Sequence, residues 1–200
     1  MKQYTITRVT GFPDWSAIPS LSIDTVYRAE TSLVQGWAQI AYDDESLYVR
    51  LRAVEENIRT EESGPLASTW EDSCLEFFFS PIEGDPRYVN IETTCGGAFF
   101  IGVGLGKHNL FRMLPWGTDV TFDPQPTRVD GGWEVSYRMP YEMLRLVFPT
   151  FAPKSGDILR ANCYKCGDLT ATPHWMSWNP ITAEKLDFHT PQFFGTMIFE

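Results

Sequence analysis

The stretch Trp37-Ala38-Gln39-Ile40-Ala41-Tyr42-Asp43-Asp44-Glu45-Ser46-Leu47-Tyr48-Val49-Arg50-Leu51-Arg52-Ala53-Val54 carries the reading of the fold. Two apolar runs, 37–42 and 47–54, flank the polar segment 43–46, which reads as strand, hairpin turn and strand. In the second run Leu47, Val49, Leu51 and Ala53 alternate with Tyr48, Arg50 and Arg52, predicting one buried and one wet face. Short runs of this kind, bounded by Gly, Pro, Asp or Asn, recur at 74–80, 88–94, 98–103, 133–139, 158–165 and 195–199. Only 140–146 reads as helix, with Pro140 at its start and Met143, Leu144 and Leu146 at helical spacing. Strands without βα alternation predict an all-β fold, a two-sheet antiparallel β-sandwich of jelly-roll or immunoglobulin-like form with one short helix. Neither a repeat nor a linker divides residues 1–200, so a single domain is expected.

The net charge of −10 works against phosphate backbones and anionic lipid surfaces, so neither nucleic acid nor membrane is an expected partner. No stretch approaches the ~20 apolar residues of a transmembrane helix. The start, Met1 to Thr7, lacks an apolar signal core, which predicts a cytoplasmic chain unless a leader has been removed. Neutral or cationic ligands suit the charge better.

Two aromatic segments stand out as candidate ligand contacts. His174-Trp175-Met176-Ser177-Trp178-Asn179-Pro180 sits among prolines and reads as a loop, and Ser68-Thr69-Trp70-Glu71-Asp72-Ser73 precedes the apolar run at 74–79. Indole faces pack on the C–H faces of sugar rings, while carboxylates and amides such as Glu71, Glu76 and Asn179 accept from hydroxyls. In the run at 74–79, Glu76 alternates with Leu75 and Phe77 and therefore projects from the opposite face. The bland account of the three tryptophans is that they cap the ends of the sandwich core.

These motifs, in this order, resemble the family 9 carbohydrate-binding modules within the wider group of DOMON-like β-sandwiches. The resemblance rests on Leu47-Tyr48-Val49, then Trp70-Glu71-Asp72 leading into Leu75-Glu76-Phe77-Phe78-Phe79, then Trp133-Glu134-Val135. It continues through Trp178-Asn179-Pro180, Phe188-His189 and Phe194-Gly195, and so covers nearly the whole chain. It implies a non-catalytic module that holds a mono- or oligosaccharide end between two Trp rings, often with structural calcium. By position, Trp70 is one wall, Glu76 an acceptor and Trp178 the second wall, with Trp175 competing for that role. The family's sugar-binding Arg corresponds to the segment Tyr88-Val89-Asn90, where Tyr88 takes its place and Arg87 lies one residue earlier, facing the other way on a strand. A diverged sugar site serving a protein partner or a homo-oligomer is the alternative, because a free module gains avidity only by association.

Glycoside hydrolysis, with Glu71, Asp72 or Glu76 as acid and base, is the third reading, and non-catalytic binding is preferred to it. Asp14, Asp24, Asp43, Asp44 and Glu45 offer oxygen ligands for the implied calcium, but no contiguous Asp-x-Asp-x-Asp-Gly loop is present, so the metal ligands are left unassigned. Cys163-Tyr164-Lys165-Cys166 has the spacing of a zinc or redox motif, with His174 as a further zinc ligand, yet no second pair accompanies it. Reduced, packed thiols are therefore expected at Cys74, Cys95, Cys163 and Cys166. Met113 or Met176 with a histidine would serve haem, as in some DOMON-like domains, without supporting context. His189 is expected to hydrogen-bond loops near the last strand. Gly102-Val103-Gly104-Leu105-Gly106-Lys107 lacks the Ser/Thr ending and the following helix of a phosphate loop.

Overall fold

The computed structural model describes residues 1–29, 34–114 and 122–200. The strands are β1 (Gln3–Arg8), β2 (Leu21–Ile23), β3 (Thr25–Ala29), β4 (Gln35–Tyr42), β5 (Ser46–Val54), β6 (Cys74–Ser80) and β7 (Tyr88–Thr94). After them come β8 (Phe99–Gly106), β9 (Asn109–Arg112), β10 (Gln125–Val129), β11 (Gly132–Pro140), β12 (Ile158–Gly167), β13 (His174–Ser177) and β14 (Gly195–Phe199). One short helix, α1 (Tyr141–Arg145), follows β11, and its Tyr141, Met143 and Leu144 are buried at one end of the core.

The all-β sandwich is the observed architecture. One layer runs β10-β11-β5-β4, with β2 beside β4, and the other runs β14-β12-β6-β7-β8-β9, with β13 and β3 beyond β12. Apart from β1, the named strands pair antiparallel. Strand β1 joins the layers: Gln3–Ile6 pairs parallel with β14, and Thr7–Arg8 pairs parallel with β4. A strand that changes sheet makes a corner of the sandwich, and here it brings the two layers into a single hydrogen-bonded path.

Side-chain alternation fills the space between the layers. Leu47, Val49, Leu51 and Ala53 of β5 meet Leu75, Phe77 and Phe79 of β6 and Cys163 of β12 in one core cluster. The other face of β5 is not uniformly wet, because Tyr48 is buried against Ala41 of β4 and against Trp15 and Ile18 of the segment before β2. The outer face of the second layer carries a separate apolar cluster of Phe78, Tyr88, Tyr164, Ile181 and Phe194, covered by residues 181–194. Tyr164 stacks on Phe188 with ring centroids 4.2 Å apart and its hydroxyl donates to the Phe188 carbonyl, which docks that segment on the sheet.

One end of the core holds a buried ionic network. Glu55, just past β5, accepts from the Trp133 indole at 2.6 Å and the Ser73 hydroxyl at 3.0 Å, and lies 3.1 Å from the Lys165 ammonium. Lys165 donates to His174 Nε2 at 2.7 Å and to the Cys166 carbonyl at 2.9 Å, and His174 Nδ1 donates to the Thr172 carbonyl. Burial alone would raise the Glu55 carboxyl, but the Lys165 charge and the Trp133 hydrogen bond outweigh it and hold the group ionised. His174 is pushed down to about 4 by burial and by the neighbouring ammonium, so it accepts from Lys165 as a neutral imidazole.

Candidate functional site

On its outer face the second layer opens into a cleft of about 920 Å³ beside residues 185–190. Its floor is built by alternation. Glu76 on β6, Glu92 on β7, Phe100 on β8 and Cys166 on β12 line it, while the adjacent Phe77, Ile91 and Ile101, and Cys163 three residues before Cys166, point into the core. Trp70 and Trp175 both line its rim and are both half-buried.

Asp168 ties the two indoles together. Its backbone N–H donates to the Trp70 carbonyl at 3.0 Å, and its carboxylate accepts from Trp175 Nε1 at 2.6 Å. Trp70 sits in a 3-10 turn, Thr69–Glu71, that the neighbouring bond from the Leu169 N–H to the Glu71 carbonyl fastens to the end of β12. Phe100 meets Trp70 edge-on at 6.5 Å, and the Arg28 guanidinium lies over the Trp175 ring at 4.8 Å. Two aromatic plates are thus set by one turn, one strand and the acid between them.

The floor is acidic. Glu76 and Glu92 are directly opposed across β6 and β7, and they are 3% and 4% exposed. Glu92 accepts from the Thr69 hydroxyl at 2.5 Å and from the Asn90 amide at 2.8 Å. Burial raises both carboxyls, Glu76 far above its usual range with Cys166 and Glu92 adding to the effect, and Glu92 to about 7. A neutral carboxyl both donates and accepts, which suits a hydroxyl-bearing ligand.

Of the residues expected from sequence, Trp70, Glu76 and Trp175 come together in this cleft. Trp178 does not: it is 3% exposed in the core, and a Cβ at Gly195 would come within 2.5 Å of its ring. The expectation of Trp178 as the second wall fails because 174–177 is a strand and not a loop, pairing with β12 and β3, so residues 175 and 178 do not share a face. Glu71 is half-buried in the 3-10 turn. Asp72 is fully buried and accepts from Arg59 and from the Glu61 and Glu62 amides, which commits it to holding a loop.

Arg87 is paired with Asp85 and lines a separate depression of about 500 Å³. Tyr88 lies beneath residues 181–194, bonded to His189 Nδ1 at 2.7 Å, so the His189 ring bonds a strand residue of β7 and not a loop near the last strand. Asn90 is buried with its amide on Glu92 and its Oδ1 without a hydrogen-bond partner among the described residues. Asn179 fastens the chain around it, accepting from the Lys2 amide at 2.7 Å and donating to the Phe193 carbonyl at 2.7 Å. Cys163 and Cys166 fall on opposite faces of β12, and His174 is taken up by Lys165, so the disfavoured zinc reading of Cys163, Cys166 and His174 has no common point, and all four cysteines are free thiols as expected. Met176, named with Met113 for the disfavoured haem reading, is a core residue.

The acids put forward for calcium are engaged separately. Asp14 caps Ser16, Asp24 pairs with Lys2, Asp44 with Arg8 and Glu45 with Arg138, while Asp43 accepts from Tyr48 and two amides of its turn. Among the described residues no three of them converge on one point. Sequence reasoning missed Glu92 and Asp168. Glu92 was accessible in principle, since antiparallel pairing sets Asn90-Ile91-Glu92 against the strand of Glu76, whereas Asp168 gives no local signal.

His189 makes this side of the cleft sensitive to acid. Its imidazole is held down to about 4, first by burial and then by the nearby Lys107 and His108 charges, with Asp187 opposing. The folded state therefore favours the neutral ring, and the stability it contributes is present above pH ~6.5 and lost as pH falls from there towards 4. Because the ring is partly exposed, the loss should be on the order of 1–2 kcal/mol. Urea unfolding at pH 7 and pH 4.5 should show a smaller acid penalty in His189→Gln than in the parent; equal penalties would refute this assignment.

The architecture is a two-layer β-sandwich with an aromatic and acidic cleft on one outer face. The chain belongs to carbohydrate-binding family 9, whose model matches residues 14–199. A structure of a protein of proposed carbohydrate-binding function from Bacteroides uniformis ATCC 8492 is 28% identical and superposes with a TM-score of 0.83, covering 100% of this chain and 99% of that one. The family 9 module of Caldicellulosiruptor kristjanssonii in complex with cellotriose is 13% identical, with a TM-score of 0.69 over 100% of this chain and 94% of that one. Its complex with glucose gives 13% identity and a TM-score of 0.66, covering 100% and 96%. No curated protein matches the chain in sequence. Among the described residues no helix is long and apolar enough to cross a membrane.

Proposed function

We propose that this chain binds the end of a neutral mono- or oligosaccharide in the cleft, without transforming it. The observation that carries the reading is that Trp70 and Trp175 line one cleft with Glu76 and are both fastened to Asp168. The indoles take the apolar ring faces, and Glu76 and Glu92 hydrogen-bond hydroxyls. Membership of family 9 and the sugars bound by the Caldicellulosiruptor module support the ligand class. A short sugar exchanges hydrogen bonds with water for hydrogen bonds with protein, so micromolar or weaker affinity is expected. Isothermal titration with glucose, cellobiose, cellotriose and a panel of other neutral sugars tests this. Saturable binding to at least one, lost in Trp70→Ala, is the expected result; silence across the panel would remove the proposal.

Glycoside hydrolysis is the second reading, because two opposed carboxyls with raised proton affinity lie in the same cleft. A retaining enzyme needs one acid protonated and its partner ionised. Here burial drives both towards the neutral form, which favours holding hydroxyls over attacking an anomeric carbon. Turnover of aryl glycosides that disappears in Glu92→Gln would reverse that preference.

A further inference from the structure

The two cysteines of Cys163-Tyr164-Lys165-Cys166 lie on opposite faces of β12, Cys163 in the core and Cys166 on the cleft. In the folded chain Cys166 of β12 stands directly opposite Cys74 of β6, and Glu76, two residues along, shares their face. One ligand atom from each of Cys74, Glu76 and Cys166 lies within 4.8 Å of the others, and the Cys166 thiol donates to Glu76 Oε1 at 2.8 Å. All three are buried, yet Cys166 and Glu76 also line the cleft, which gives this point a route to solvent.

The spacing is close to what a tetrahedral metal requires. Zinc bonds of ~2.3 Å to sulfur and ~2.1 Å to oxygen place neighbouring ligand atoms roughly 3.5–3.8 Å apart, so side-chain rotation alone could gather these three. The donor set is chemically selective. Two sulfurs and one carboxylate match a soft or borderline divalent cation and are poor ligands for calcium, which takes 6–8 oxygens. The surroundings also suit a cation. Glu92 lies directly across from Glu76, and the Asp168 carboxylate, bonded to the Trp175 indole, lines the same cleft.

We infer that Cys74, Glu76 and Cys166 form a site for a thiophilic divalent cation of the zinc or cadmium type, reached through the cleft, with a fourth position open to water. Binding is an exchange of cation for protons: each thiol, and Glu76 where it carries a proton, passes that proton to buffer as its sulfur or oxygen bonds the metal. Strands β6 and β12 supply the rigidity, because both cysteines lie within a paired ladder and neither is in a loop.

The test uses the purified, fully reduced chain titrated with cadmium chloride, and contains no sugar, so its outcome is separate from that of the saccharide reading. Expected are one equivalent of cadmium bound, an ultraviolet thiolate-to-cadmium charge-transfer absorption that saturates with it, and displacement by zinc. The absorption should vanish in Cys74→Ala and in Cys166→Ala, persist in Cys95→Ser, and need at least tenfold more cadmium in Glu76→Gln, which keeps the side-chain shape. Cooperative thermal melting of each variant checks that it is folded. Absence of the charge-transfer band in the parent protein overturns the site, as does a band retained in either alanine variant.

Discussion

Replacing Glu55 by alanine should cost about 3–5 kcal/mol of stability, the usual penalty for removing one partner of a buried ion pair. The carboxylate is surrounded by three donors: the Trp133 indole at 2.6 Å, the Ser73 hydroxyl at 3.0 Å and the Lys165 ammonium at 3.1 Å. Lys165 is fully buried, and its further partners, His174 Nε2 and the Cys166 carbonyl, are neutral acceptors that cannot balance its charge. Lys165→Met should cost less, because Trp133 and Ser73 still stabilise the remaining carboxylate. In the double variant the two losses should fall short of their sum, which is the signature of direct coupling. Urea unfolding measures all three. A Glu55→Ala penalty below about 1 kcal/mol would mean that the ammonium finds another counter-charge or water, and that this network does not anchor the end of the core.

How far the sequence disclosed this molecule depended on whether the deciding interaction was local. The β4–β5 hairpin was legible because the alternation of Leu47 to Ala53 states both the strand and its buried face. Strand β1 gave no such signal, since its role as a parallel bridge between the layers depends on β14 and β4, distant in the chain. Strand β13 was hidden by the flanking Pro173 and Pro180, and that concealment had consequences. Once His174 to Ser177 is a strand, a spacing of three separates Trp175 from Trp178, sending one to the cleft and the other to the core. The same parity separates Cys163 from Cys166 and makes Cys74 the true neighbour. The family resemblance led to the right fold and the right family, but it could not choose between two tryptophans whose difference lies in the pairing of β13.

Trp175→Ala is expected to weaken saccharide binding by about 30- to 100-fold, enough to take a micromolar interaction to the edge of detection. An indole that covers a sugar face contributes through roughly 100 Å² of buried apolar contact, about 2–3 kcal/mol at about 25 cal/mol/Å². Asp168 never needs to touch the ligand to matter nearly as much. Its carboxylate fixes the Trp175 ring through Nε1 at 2.6 Å, and its own backbone N–H fixes the Trp70 turn at 3.0 Å. Asp168→Ala removes the first of these and leaves the second, so it should cost about tenfold in affinity, in keeping with a net 1–2 kcal/mol for a charge-assisted hydrogen bond. If Asp168 acts through Trp175, the double variant Asp168→Ala/Trp175→Ala will bind no more weakly than Trp175→Ala alone. Additive losses would instead place the Asp168 carboxylate on the sugar itself, and unchanged binding in Trp175→Ala would remove this ring from the site. Titration of the four proteins with the same saccharide separates these outcomes, because the coupling is read from differences in affinity and each variant's fold can be checked by its melting transition.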